Sequence, residues 1–205
     1  MSAVLTSSYI EAGVAFELDG QPVTAHPGET ILKAAQRHGV EIPHLCYSDG
    51  LRPDGNCRAC VVEIAGERTL APSCCRAPTP GMKVQAASPR ARKSQQMVVE
   101  MLLSDMPDMG YRWNDEQKNT PELIAGSAYP ESARGQFDSK TPESTGQHGE
   151  LSEWATRLGV AVRPALKALR REQPAPDLSH PAMAVNLDAC IQCNRCVRAC
   201  REEQV

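Results

Sequence analysis

Nine cysteines dominate this 205-residue sequence, and their spacing limits what the chain can become. Five fall between 46 and 75, four between 190 and 200, and none in the stretch 76–189. A disulfide framework needs an oxidising compartment. The first Lys or Arg is Lys33, so the start lacks the basic region of a secretory or twin-arginine signal. Two dense, separated clusters in a chain expected to be cytoplasmic point to metal centres instead.

Composition removes other classes. Net charge is -3 with both signs interspersed, which argues against a nucleic-acid surface. Apolar runs extend only a few residues, far short of the ~20 that cross a bilayer, so no membrane segment is expected. At roughly 150 residues per domain, the length suits one domain with a large extension or two small ones.

Residues 14–25 read as a hairpin: Val14, Phe16 and Leu18 alternate with other residues, Asp19-Gly20 turns, and Val23 lies on the return strand. Thr30 caps a helix whose apolar face is Ile31, Leu32, Ala34 and Ala35, and Gly39 stops it. Residues 43–60 form an irregular loop. Val61–Ile64 and Thr69–Ala71 read as a second hairpin around Gly66, and Met82–Val84 as a further strand. This order predicts a small mixed sheet with a helix packed on it.

Ser88-Pro89 opens another helix that runs through Leu103. Residues 119–149 hold three Pro and four Gly among many Ser and Thr, a composition that cannot offset its ordering entropy. They read as a linker. Short helices follow at 150–158 and 164–172.

The first four-cysteine set, Cys46, Cys57, Cys60 and Cys74, has the spacing C-x10-C-x2-C-x13-C. Four thiolates are what a [2Fe–2S] cluster takes. Three would sit on the loop and the fourth at the end of the following hairpin. Asp54, Gly55, Asn56, Arg58 and Ala59 are small or polar, which lets backbone N–H groups approach the sulfurs. A four-cysteine zinc site more often shows two C-x2-C pairs, and free buried thiols are the other alternative. Cys75 is expected to be structural and to point away from its neighbour. His44 is expected to be a bystander, since a Rieske-type site needs two histidines. Residues 43–75 are expected to bury little apolar surface and to depend on metal for their order.

Cys190, Cys193, Cys196 and Cys200 follow C-x2-C-x2-C-x3-C, the bacterial [4Fe–4S] run, with Arg201 where proline is usual. The fourth cysteine of such a run serves a second cluster, and no second run follows. The site is therefore expected to be incomplete, in a fragment of a longer subunit or in one that another polypeptide completes. His148 and His180 read as surface residues.

The stretch Pro43-His44-Leu45-Cys46, Gly55–Ile64 and Ser73-Cys74 resembles the [2Fe–2S] domain of three related subunits. These are the large iron–sulfur subunit of complex I, the diaphorase iron–sulfur subunit of NAD-reducing hydrogenases, and the alpha subunit of NAD-dependent molybdenum formate dehydrogenases. The H-x3-C-x2-C-x5-C site that complex I and related subunits carry is missing from 76–189. Met97–Pro107, His148–Leu151 and Ala184–Val205 resemble most the amino-terminal region of the formate dehydrogenase alpha subunit.

The resemblance implies an α+β protein: a β-grasp [2Fe–2S] ferredoxin-like domain at 12–87, then a helix and connection at 88–118, the linker 119–149 and short helices at 150–176. The start of a truncated [4Fe–4S] ferredoxin-type domain occupies 180–205. It implies an electron-transfer component of an oxidoreductase, with [2Fe–2S] and incomplete [4Fe–4S] sites and no substrate site of its own. Molybdopterin is expected only in a missing remainder. Other iron–sulfur and flavin/NAD subunits are the expected partners. An iron–sulfur subunit of a hydrogenase or complex I relative, and a non-catalytic redox sensor, are the alternative functions.

Overall fold

The computed structural model describes residues 13–106, 149–172, 177–185, 187 and 190–204. The linker predicted at 119–149 lies outside these except for Gly149, as does His148. Two compact units divide the chain: residues up to 98 together with 193 onward, and residues 99–192.

In the first unit, strands β1 (Val14–Leu18) and β2 (Gln21–Ala25) pair antiparallel across the turn at Asp19 and Gly20. Phe16, Leu18, Val23 and Ala25 point one way and are buried, as period-2 alternation requires. Helix α1 (Ile31–Arg37) starts where the Thr30 hydroxyl accepts from the Lys33 amide at 3.4 Å. It buries Ile31, Leu32, Ala34 and Ala35. Strands β3 (Val61–Ile64), β4 (Ala71–Pro72) and β5 (Lys83–Gln85) complete a sheet ordered β2–β1–β5–β3–β4. The β1–β5 pair is parallel and the other pairs are antiparallel, the arrangement expected of a β-grasp. Leu18, Leu32, Val62 and Val84 are almost fully enclosed, each contributing about 1.5–3 kcal/mol of apolar burial.

Two strands differ from expectation. The strand predicted at Thr69–Ala71 shortens to Ala71–Pro72, and the one predicted at Met82–Val84 shifts to Lys83–Gln85. Gly66 and Gly81, both with positive φ, set these turns locally.

Helix α2 (Pro89–Ser104) begins with the Ser88 hydroxyl accepting from the Ala91 amide at 3.1 Å. The Gln95 side chain, 1% exposed, donates to the carbonyls of Val61 and Ala86 at 2.9 and 3.1 Å. The chain's last described element in this unit is α5 (Arg195–Glu203).

In the second unit, α3 (Glu150–Leu158) buries Leu151, Ala155 and Leu158 and ends at Gly159 with φ 62°. Glu100 accepts from Arg163 through Nε at 2.7 Å, Nη2 at 3.0 Å and the backbone amide at 3.0 Å. The helix predicted at 164–172 reduces to α4 (Pro164–Lys167), none of whose residues is buried. A short helix without a packed face is marginal in water, so it stops after one turn. Strands β6 (Asp177–His180) and β7 (Met183–Val185) form a hairpin that the sequence patterning does not reveal.

Candidate metal centre

The loop between α1 and β3 carries Cys46, Cys57 and Cys60, and Cys74 follows β4. Cys46, Cys60 and Cys74 are buried and Cys57 half-buried. The Cys46 amide donates to Cys57 Sγ, and the Cys57 amide donates to Cys46 Sγ, both at 3.4 Å. The amides of Asn56 and Ala59 add to the Cys46 and Cys57 sulfurs respectively, and the Cys74 amide and Ser73 to Cys60. This cradle of N–H donors suits anionic sulfur.

Beside and within the C-x2-C turn the loop bends through the left-handed Gly55 (φ 64°) and Arg58 (φ 59°). Arg58 is a non-glycine residue in that region, a conformation that costs free energy and clusters at functional sites. It sits inside the C-x2-C turn. At Gly55 a Cβ would lie 3.0 Å from Cys75 Sγ, so a side chain there would crowd that thiol as well as strain the left-handed backbone.

The four thiols interact with one another. The Cys57 thiol, then that of Cys74, draws Cys46 down to about 2. The Cys74 thiol lowers Cys60 to about 7. The Cys46 thiol and then burial push Cys57 up, and the thiols of Cys46 and Cys60 push Cys74 up. Crowded thiols behave in this way: one gives up its proton and its neighbour keeps one to donate. Metal binding would deprotonate all four. Among the described residues no group of three or more His, Cys, Asp or Glu is arranged around a single ion. A two-iron core needs two thiolates on each iron.

Two expectations change. Cys75 does not turn away: it is exposed, and its Sγ lies 3.5 Å from that of Cys74. The tight turn after β4, where the Cys75 and Arg76 amides both donate to the Pro72 carbonyl at 3.1 Å, keeps both side chains near one edge. The loop also buries more than its composition suggests, with Leu45, Tyr47 and Ala59 enclosed. Its apolar residues are few but spaced to reach the core. His44, by contrast, is half-buried with Nδ1 on the Ile42 carbonyl at 2.8 Å.

Cys190 is half-buried in the second unit, where Arg171 donates to its carbonyl at 2.6 Å. In the first unit Cys193 is half-buried, and Cys196 and Cys200 are exposed one turn apart on α5. His180 is exposed, its Nδ1 accepting from the Ala182 amide at 3.1 Å. Arg198, which touches the first site, carries no sequence signal, and Ser73 enters the sequence reading only beside Cys74 in the family resemblance. Ser73 donates through its hydroxyl to the Cys60 carbonyl at 2.7 Å. Arg198 donates to the Cys46 carbonyl.

Residues 11–89 match the family model of the 2Fe–2S iron–sulfur cluster binding domain. This region is a 2Fe–2S ferredoxin-like domain. Around it the similarity extends further. An NADH-quinone oxidoreductase subunit of Rhizobium meliloti is 29% identical over 186 residues, 90% of this chain and 18% of its own length. The mitochondrial NADH dehydrogenase [ubiquinone] iron–sulfur protein 1 of Solanum tuberosum is 40% identical over 90 residues, 44% of this chain and 12% of its own. The chain thus spans under a fifth of these curated relatives. A crystal structure of an NAD+-reducing [NiFe]-hydrogenase in the H2-reduced state superposes with a TM-score of 0.64 at 26% identity, covering 94% of this chain and 68% of that one. The chain is therefore similar to part of NADH-quinone and NADH-ubiquinone oxidoreductase subunits and to a hydrogenase chain. Among the described residues no helix is long and apolar enough to cross a membrane.

Proposed function

We propose that this chain is an electron-relay module of an NAD-linked, multi-subunit oxidoreductase of the complex I and NAD-reducing hydrogenase kind, with Cys46, Cys57, Cys60 and Cys74 holding a [2Fe–2S] centre. The single observation that carries this is the four interacting thiols set in a cradle of amide donors, within residues 11–89 that match the family model. When bound, such a centre takes up and releases one electron. The chain's own work is to hold it. The amides of Asn56, Cys57 and Ala59 compensate the charge on sulfur, and Leu45, Tyr47 and Ala59 keep water from one side.

Cys190, Cys193, Cys196 and Cys200, spaced as a C-x2-C-x2-C-x3-C run, are read as ligands of a further, [4Fe–4S] centre. Flavin/NAD and other iron–sulfur subunits are the partners this reading requires. A formate dehydrogenase alpha subunit is the second reading. It is favoured by the missing cysteines of 76–189, whereas the similarities to complex I and hydrogenase chains support the first. Molybdopterin belongs only to that second reading.

Iron and acid-labile sulfide are counted on anaerobically purified protein, with the reduced state followed by paramagnetic resonance. About two irons and two sulfides per chain are expected if only the first site fills, and about six irons if a partner completes the second. Zinc without sulfide would overturn the assignment. Between the two readings, electron transfer to the chain from a partner that oxidises formate, rather than from one carrying hydrogen or quinone chemistry, would select the second.

A further inference from the structure

Helix α5 has two faces with different business. Cys196 and Cys200 lie one turn apart and are exposed. Arg198 and Glu202 also lie one turn apart, at about 200° from the cysteines on a helix of 3.6 residues per turn. That face rests on the loop of the first centre. Arg198 is 7% exposed. Its Nη2 donates to the carbonyl of Cys46 and its Nη1 to that of Arg52. Glu202 accepts from the Arg52 amide at 3.2 Å. Its Nε forms a long ion pair with the Asp54 carboxylate at 4.0 Å. A buried cation thus stands on the backbone of a thiolate-bearing residue, hydrogen-bonded to its carbonyl, with the Asp54 carboxylate paired to it only at 4.0 Å.

We propose that Arg198 is a positioning residue that couples the two cysteine sets, clamping the helix of Cys196 and Cys200 to the Cys46 loop and raising the reduction potential of the first centre. This rests on the relay reading of Cys46, Cys57, Cys60 and Cys74. Adding an electron makes a four-thiolate centre more negative, and a fixed positive charge nearby favours the more negative state. Burial strengthens that effect, because the intervening medium screens it less than water would. The same guanidinium bridges two carbonyls six residues apart in sequence, so it also fixes the loop's shape. Relay between centres depends on their separation being held, and a helix with ligands on one face and anchors on the other holds it.

The full chain loaded with iron and sulfide is titrated with dithionite, one electron entering the first centre, while its paramagnetic signal is followed. Hydrogen exchange of residues 195–203 is measured alongside. Arg198→Gln removes the charge and leaves fewer donors. Its reduction equilibrium is expected to fall about tenfold, which is about 59 mV for one electron, with faster exchange along α5. Arg198→Lys keeps the charge but reaches fewer carbonyls. It is expected to retain most of the potential while exchange stays fast. A wild-type potential in Arg198→Gln overturns the electrostatic role, and wild-type exchange in both variants overturns the clamp. If Arg198→Gln fails to load iron, Arg198→Lys and Glu202→Gln decide, since faster exchange is expected in each and wild-type exchange in both overturns the proposal. A wild-type chain with no iron–sulfur signal would instead sink the relay reading itself, so the two failures are distinct.

Discussion

Cys46 and Cys57 exchange hydrogen bonds, each amide donating to the other's sulfur at 3.4 Å. Ten residues separate them in sequence, and the loop between turns through the left-handed Gly55 before Cys57. This reciprocal pair closes the loop on itself. It brings sulfur, rather than carbonyl oxygen, to face the buried amides, and an anionic sulfur centre gains most from that arrangement.

Replacing Cys57 or Cys60 by serine is expected to abolish or strongly change the visible absorption and the reduced-state signal of the first centre. Serine keeps the backbone amides but offers a poorly acidic hydroxyl where soft thiolate is needed. Both residues lie on the C-x2-C turn around Arg58, so the effect should be alike at the two positions. A wild-type spectrum in either variant removes that residue from the ligand set.

Cys75→Ser should keep the centre. Its thiol is exposed and lies against Cys74, 3.5 Å between sulfurs, without interrupting the donors to Cys46, Cys57 and Cys60. Iron content per chain equal to wild type is the expected result. Loss of about half the iron or more would mean that the two neighbours share or exchange the ligand role.

The four ligand candidates were legible because thiol chemistry is sparse and spacing is geometric. Loop cysteines C-x2-C apart can meet one core whatever the surrounding sequence. The sheet was legible from alternation in Val14–Leu18 and from the caps at Thr30 and Ser88, which are local signals. Arg198 was not, since nothing in C-x3-C separates an arginine that solvates from one that is buried on a carbonyl 152 positions away. Nor was the side on which Cys75 lies, because the turn after β4 decides it. The β6–β7 hairpin escaped too, being short and without strong alternation.

Glu29 gives a pH-dependent part of the stability of the 2Fe–2S domain. Its carboxylate accepts from Arg37 Nη2 at 2.8 Å and Nε at 3.2 Å, and from the His26 amide at 2.7 Å. The Arg37 guanidinium holds this carboxyl below its ordinary value of 4.5. A lowered native value means that the unfolded chain binds the proton first. The stabilisation is therefore fully present above pH 4.5 and lost as pH falls through the lower native value. With Arg37 partly exposed, the contribution is under about 1 kcal/mol. Urea unfolding of Glu29→Gln at neutral and acid pH should show a smaller difference between the two than wild type does; an unchanged difference refutes the pairing.

Gln95 is the strongest structural test of how α2 meets the sheet. Its amide is 1% exposed and donates to the carbonyls of Val61 and Ala86. The Ser73 amide donates to the Cys60 carbonyl across β3 and β4, so the next carbonyl, that of Val61, faces the β5 side, where β5 ends at Gln85; this side chain supplies the donor missing there. Gln95→Leu conserves volume and bulk while leaving both carbonyls without that donor. Leaving a buried polar group unsatisfied costs about 1–3 kcal/mol, so a loss of roughly 2–4 kcal/mol is expected for the pair. The denaturation midpoint should fall with an unchanged slope. Gln95→Glu should cost more at neutral pH, where a buried carboxylate faces two carbonyls, and recover as pH falls and the acid gains a proton to donate. A Gln95→Leu protein as stable as wild type would show that water or another donor replaces the amide, and that α2 is held to β3 by apolar contact alone.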